Sequence, residues 1–402
     1  MSPVQIRVLV LHASAAFGGA SKSLVELLGG IARDDVHVTV LCPRGATAQR
    51  FRGAGMEVVE VAGLSQFDNT RISFYRGLRW IVVLREIALL PATLWALWRL
   101  RDRSFNLVHA NEITLAPVGV LAKIILRLPL VVHVRSLQRS AARLRTRWLF
   151  HLIRGYTDAV IAIDEGVRRS LPPDLSVRVI HNTLAARGHP PERGPAPRLR
   201  VGFVGNFLPS KGIEEFIQAA RLCRDRALPV EFIIAGDNTR EVGGLRGLLL
   251  GMLGFARDLR SELEQYVKTE RLEHMVHFTG FVDDVAAIYA RLDVLCFTTH
   301  LDAPGRPVIE AAFFGVPSIV SVREPQPDTI VHGETGLCIA SADPVLIADA
   351  IERLARNPEE RARLGQGARR LARQNFDPEQ NAAAMLAVYR KVASTPGPSP
   401  VR

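Results

Sequence analysis

Five short apolar runs, Ile6 to Leu11, Val36 to Leu41, Glu57 to Val61, Asn106 to His109 and Leu130 to Val134, are separated by stretches of helix length in the first half of the chain. The second half repeats the arrangement with Arg200 to Val204, Glu231 to Ala235, Val276 to Thr279, Asp293 to Phe297 and Ser318 to Val320. Near-continuous apolar runs of this length suit strands buried on both faces, and their alternation with helices predicts parallel sheets covered on each side. Between the two series, Ala186-Arg-Gly-His-Pro-Pro-Glu-Arg-Gly-Pro-Ala-Pro197 reads as a linker from its proline and glycine content. The expected fold class is therefore α/β, with two doubly wound, Rossmann-like domains in series. They span 1–185 and 199–375, joined by a linker over 186–198 and followed by a helix over 376–393 and a disordered tail over 394–402. Asp377 and Pro378 suit the N-cap and first position of that last helix. A chain of 402 residues, 48% of them hydrophobic, suffices for two ordinary cores.

Composition excludes several classes. Cys42, Cys223, Cys296 and Cys338 stand singly with no paired spacing, which argues against a metal cage or a disulfide framework and fits a reducing compartment. Met1-Ser-Pro-Val leads straight into the first strand without a separate apolar region and cleavage site, so a cytoplasmic location is expected. The net charge is +11 and unevenly spread: residues 71–103 hold seven arginines against Glu86 and Asp102, interleaved with Trp80, Trp95, Trp98 and leucines. Residues 139–154 form a second basic, amphipathic segment. The uncharged run Ile87 to Trp98 is too short to cross a bilayer, which takes about 20 apolar residues. Such helices suit peripheral contact with an anionic membrane, and equally suit domain helices with solvated arginine faces. The apolar segment Gly243 to Phe255 either adds to that surface or covers the second core. No nucleic-acid motif accompanies the charge, and nucleic acid is not expected as a partner.

Two segments carry the chemistry. Asp302-Ala-Pro-Gly-Arg-Pro-Val-Ile-Glu310 runs into Ala311-Ala-Phe-Phe-Gly-Val-Pro317 and the apolar Ser318-Ile-Val-Ser321. Gly305 permits a tight turn and Pro307 suits a first helical turn, so backbone N–H groups at a helix start would face a gap that favours a pyrophosphate. Glu310 on the same helix is placed to accept hydrogen bonds from a ribose, as acidic residues do in dinucleotide sites. About ninety residues earlier, Val201-Gly-Phe-Val-Gly-Asn-Phe-Leu-Pro-Ser-Lys-Gly212 is a strand ending at Gly205 and a loop in which Lys211-Gly212 opens a helix. A lysine there can lie against a diphosphate, or be an ordinary surface lysine.

At these residues the chain resembles the family 4 glycosyltransferases of GT-B fold, over nearly its whole length and most specifically over 200–340. The resemblance implies two Rossmann-like domains facing across a cleft, and a last helix returning to the first domain. It also implies a retaining transfer of a sugar from a nucleotide-diphosphate sugar to an acceptor, with no cofactor and no metal; peripheral membrane contact would make that acceptor a lipid-linked or cell-envelope glycan. It makes Lys211 the phosphate-binding lysine, Glu310 the ribose acid and Asp302 the first acid of the pair, orienting the sugar, with Gly305 and Arg306 in the donor-facing loop. Gly205 and Asn206 complete the donor-binding set. Asn206 stands where an arginine is common and Asp302 where a glutamate is usual. Arg306, Arg323 or a cation of the other domain is the expected replacement for the missing arginine, which is worth about 1 to 3 kcal/mol in a partly buried site.

In the first half, Phe17-Gly18-Gly19-Ala20-Ser21-Lys22-Ser23 lacks the glycine directly before the lysine that a triphosphate-binding loop needs. Gly18 and Gly19 either admit a ligand to the backbone, as a similar loop does in the family, or make a tight strand–helix turn. His109 with Asn111, and Arg135 with Ser136, follow strands and are cleft candidates, because ligands of open α/β sheets bind beyond the strands' carboxyl ends. Arg135 stands near a position where the family often has histidine; it either holds an anionic acceptor or braces a loop. Asn182 reads as structural. Alternatives from other classes are a non-hydrolysing nucleotide-sugar epimerase and a catalytically inactive donor-binding protein.

Overall fold

The computed structural model describes residues 5–71, 82–139, 143–184, 197–237, 258–282, 284–301 and 304–394. The chain divides into two compact units, one of Met1–Ala185 with Phe376–Arg402 and one of Ala186–Asn375.

The first unit holds seven parallel strands: β1 (Ile6–Leu11), β2 (Val36–Pro43), β3 (Glu57–Val61), β4 (Leu107–Ala110), β5 (Leu130–Val134), β6 (Ala159–Ala162) and β7 (Val177–Val179). Their order across the sheet is β3-β2-β1-β4-β5-β6-β7. Because side chains alternate across a strand, Leu9 and Leu11 face one helical layer while Val8 and Val10 face the other. The first layer contains helices Val82–Arg99, Ala116–Leu126 and Leu144–Tyr156, through residues such as Leu97, Val118 and Phe150. The second contains Gly19–Gly29, Ala46–Gly53 and the last helix, Pro378–Ala393, whose Met385 and Tyr389 are fully buried. That last helix starts as its sequence suggests: Asp377 accepts from Gln380 N at 2.9 Å, and Pro378 occupies the first turn.

The second unit has β8 (Leu199–Val204), β9 (Val230–Ala235), β10 (Val276–Gly280), β11 (Val294–Phe297), β12 (Ser318–Ser321) and β13 (Gly336–Ile339), all parallel, in the order β10-β9-β8-β11-β12-β13. One face is covered by helices Ile213–Asp225, Leu259–Thr269 and Pro344–Arg356. The other packs against Val285–Arg291 and Arg306–Phe313.

All ten apolar runs are strands, with small differences at their ends. The ten runs leave out β6, β7 and β13, three or four residues each, because runs so short carry too few apolar positions to separate strand from loop. All four cysteines are free thiols. No helix among the described residues is long and apolar enough to cross a membrane. The apolar segment Gly243 to Phe255, most of the linker and the tail beyond Ser394 lie outside the described residues.

Candidate functional site

In the second sheet the chain leaves β8 toward β9 and β10 on one side, then crosses back to build β11, β12 and β13 on the other. The loops after β8 and β11 therefore diverge from neighbouring strands and leave a crevice beyond their carboxyl ends, where open α/β sheets bind ligands. Both motifs found in the sequence supply these loops.

After β8, Gly205 takes φ +155° and Asn206 is exposed. A single 3₁₀ turn, Pro209–Lys211, then leads to Gly212, at φ +68°. A Cβ at Gly212 would sit 1.8 Å from the carbonyl oxygen of Thr298, so only glycine lets this loop seat against the one after β11. Thr298 Oγ1 donates to Gly212 O at 2.8 Å, and Thr299 Oγ1 donates to Ser210 O at 3.1 Å. The two loops are thus stitched backbone to side chain.

This seam fixes Lys211. Its Nζ lies 5.4 Å from the centroid of the Phe297 ring, at the end of β11. Burial lowers its pKa from the ordinary lysine value, and among the described residues no carboxylate pairs with it. A half-buried ammonium held against an aromatic face is poised to gain from an incoming anion. The same ring explains Gly305: a Cβ there would approach Phe297 to 2.4 Å. Gly305, which has no side chain to cap with, is the N-cap of the helix Arg306–Phe313, and Pro307 lies in its first turn. Phe297 therefore adjoins both the lysine and this helix start.

One turn along, Glu310 is 15% exposed at its side chain and well anchored. Tyr289 donates its hydroxyl to Oε2 at 2.8 Å and Arg306 Nε donates to Oε1 at 2.7 Å. Burial, and next the Glu310 charge, push the Tyr289 hydroxyl well above the usual tyrosine range, so it stays protonated and donates. Arg306, one of the cations expected to replace the arginine missing at Asn206, is thus joined to Glu310. Arg323 is exposed and helps line a pocket of about 290 Å³ with Thr299, His300, Ser321 and Ser341, beyond the ends of β11, β12 and β13. Asp302 lies outside the described residues. Phe297, Tyr289 and the two threonines escaped the sequence reading. Phe297 had a signal, as the last residue of a strand at a switch point; Tyr289 had none.

The first sheet reverses between β1 and β4. Its switch point holds a buried polar lattice. Arg135 donates through Nε to Asn111 Oδ1 at 3.0 Å and through NH1 to Asn182 Oδ1 at 2.7 Å, while NH2 lies 3.2 Å from His133 Nδ1. A guanidinium only donates, so the amide nitrogen of Asn111 must face His12 Nδ1, 2.9 Å away, which leaves the His12 proton on Nε2 to donate to Ser21 Oγ at 2.9 Å. Burial, helped by the Arg135 charge, lowers the His12 pKa to about 4 and the His109 pKa to about 3. His133 lies well below the usual histidine range for the same reasons.

One cleft candidate needs correction. His109 is wholly buried; its Nδ1 meets the Tyr389 hydroxyl at 2.6 Å and its ring stacks on His133 at 5.5 Å. It is a core residue, because a neutral imidazole with one good hydrogen bond is tolerated under the sheet. Arg135 takes the bracing role, tying together the segments after β4, β5 and β7. Asn182 accepts from Arg135 in this brace. Gly18 caps the helix Gly19–Gly29, and neither it nor Gly19 has a neighbour within 4 Å of an added Cβ or a positive φ. Packing within this fold does not require glycine at either place.

Among the described residues no group of three His, Cys, Asp or Glu side chains is disposed to hold a metal ion. A family model described as "Glycosyl transferases group 1" matches residues 190–371, and one described as "Glycosyl transferase 4-like domain" matches 18–183. The lipopolysaccharide core biosynthesis mannosyltransferase LpcC of Rhizobium leguminosarum bv. viciae is 27% identical over 75% of this chain and 84% of its own length. The capsular polysaccharide biosynthesis glycosyltransferase CapM of Staphylococcus aureus is 26% identical, over 44% of this chain and 42% of its own. The crystal structure of Anabaena HepE in complex with UDP has a similar fold, with a TM-score of 0.74 at 20% identity, covering 96% of this chain and 100% of that one. Structural relatives of this kind are GT-B glycosyltransferases. With both halves matched and the switch-point motifs in place, the chain belongs to the family 4, group 1 glycosyltransferases.

Proposed function

We propose that this glycosyltransferase takes its sugar from a nucleoside diphosphate held at the β8/β11 switch point and passes it, with retention of configuration, to an envelope or lipid-linked glycan. The observation that carries the donor assignment is the meeting of Lys211 and the start of the helix Arg306–Phe313 on one aromatic ring, Phe297. A cation and a helix N-terminus converging on one crevice suit a diphosphate, and they stabilise negative charge as the phosphate leaves. On this reading the leaving group needs no metal and the reaction no cofactor. Glu310, held in place by Tyr289 and Arg306, accepts from the ribose. Gly205 and Asn206 border the diphosphate, and Asp302 orients the sugar.

The acceptor class rests on relatives. The names of LpcC and CapM refer to lipopolysaccharide core and capsular polysaccharide, which favours a cell-envelope glycan built at the cytoplasmic side of a membrane. HepE binds UDP, which supports a nucleotide donor.

A thermal-shift panel of UDP-, GDP- and ADP-sugars tests the donor site directly. A true donor at a hundred times its dissociation constant stabilises the wild-type chain by about 2.7 kcal/mol. That shift disappears in Lys211→Ala and Glu310→Ala. A panel without any shift, or equal shifts in wild type and both variants, would defeat the assignment.

A further inference from the structure

Eight of the twelve exposed large hydrophobic side chains among the described residues sit on the three helices that form one layer of the first unit. On Val82–Arg99 they are Leu84, Ile87, Trp95 and Trp98, at spacings that put them on one stripe, all at least 52% exposed. Ile124, 58% exposed, comes from Ala116–Leu126, which packs between its two neighbours. Leu144, Trp148 and Tyr156 come from Leu144–Tyr156, with Leu144 at 82%. The inner faces of the same helices already fill the core, through Leu97, Val118 and Phe150, so these outer residues are surplus to folding.

The charge on this layer has one sign. The three helices hold a single acid, Glu86, which is buried and bound to Arg85 and to the Gln66 amide. Lys123 and Arg154 pair with Asp158 and Asp174 at its edge, and Asp102 lies in the adjoining turn beside Arg101. Arg99, Arg143 and Arg147 are exposed with no ion pair among the described residues. Two arginines lie over the exposed indoles: Arg99 is 4.8 Å from the Trp95 ring and Arg101 is 3.9 Å from that of Trp98. Indoles and cations side by side match the boundary between lipid headgroups and acyl chains. A protein partner of mixed charge would find no exposed acid on the helices to pair with.

We propose that this three-helix layer docks on an anionic lipid bilayer, with Trp95, Trp98 and Trp148 at the headgroup boundary and the arginines on lipid phosphates. The proposal is independent of the donor site, which lies in the other unit. Its test is flotation of the full chain with vesicles of phosphatidylcholine alone, or of phosphatidylcholine mixed with phosphatidylglycerol. The chain floats with the mixed vesicles only, and added salt releases it. Arg99→Ser, Arg143→Ser and Arg147→Ser each weaken partitioning about fivefold, and Trp95→Ser with Trp98→Ser weakens it about tenfold or more. Tryptophan emission of the wild-type chain is quenched by lipids brominated near the top of the acyl chain, a readout that needs no variant. Absence of flotation, equal binding to neutral vesicles, or unquenched tryptophans would overturn the proposal. So would a dimer in light scattering that Trp95→Ser dissociates while no vesicle binds.

Discussion

The two switch points of this molecule are built on the same topology and filled in opposite ways. In the second unit the loops after β8 and β11 are locked by a backbone contact that only Gly212 permits, Gly305 lies against the Phe297 ring, and the ionic groups Lys211 and Glu310 stand at the margin of the crevice. In the first, the glycines Gly18 and Gly19 have open space around them, while the polar side chains turn inward and bond to one another. Rigid backbone with available charge suits a site that must present fixed donors to an anion. An interior lattice of polar groups bonded to one another beneath an open glycine loop suits a platform that tolerates different occupants above it.

The sharpest way to break this contrast is Lys211→Ala. If Lys211 stabilises the leaving diphosphate, the variant loses about a hundredfold to a thousandfold in kcat/KM, with an unchanged circular dichroism spectrum. A loss below threefold would make the two switch points chemically equivalent. Backbone substitutions come next: Gly212→Ala, with a carbonyl 1.8 Å from the new Cβ, lowers stability by about 2 to 4 kcal/mol in denaturant titrations. Gly19→Ala, with nothing within 4 Å, stays within about 0.5 kcal/mol. Equal effects would remove the distinction between locked and open loops.

Acid sharpens the comparison from the other side. His12 and His109 have folded pKa values lowered to about 4 and about 3, against an ordinary 6.5, so the unfolded chain binds protons first. The stability that depends on their neutral forms is complete above about pH 6.5 and is lost as pH falls toward 4 and 3. Hydrogen exchange followed through that range shows β1 and β4 losing protection in step with histidine protonation. The smallest effect is expected for Tyr289→Phe, which removes one hydrogen bond to Glu310. It raises the donor KM several-fold, about 1 kcal/mol, and leaves kcat nearly unchanged.

Much of this was legible beforehand for physical reasons. Parallel strands buried on both faces write themselves as unbroken apolar runs, so Ile6–Leu11 and Leu130–Val134 could be read to the residue. Gly305 and Pro307 announced a helix start because their backbone preferences are local. His109 misled because a histidine ending a strand looks the same whether it points to solvent or under the sheet. Its partner, Tyr389, lies 280 residues away, and no local rule reveals it. Tyr289 and Glu310 meet for the same reason, two helices sharing one face of the sheet.

The return of the last helix to the first unit carries a consequence for biosynthesis. Met385, Val388 and Tyr389 complete the layer that covers β1 and β4, yet they emerge from the ribosome after every residue of the second unit. The amino-terminal sheet must therefore wait with one apolar face incompletely covered while its neighbour is already able to close. A chain interrupted before Pro378 keeps the cover of Gly19–Gly29 and Ala46–Gly53 but exposes the apolar surface of β1 and β4 that Met385, Val388 and Tyr389 would bury.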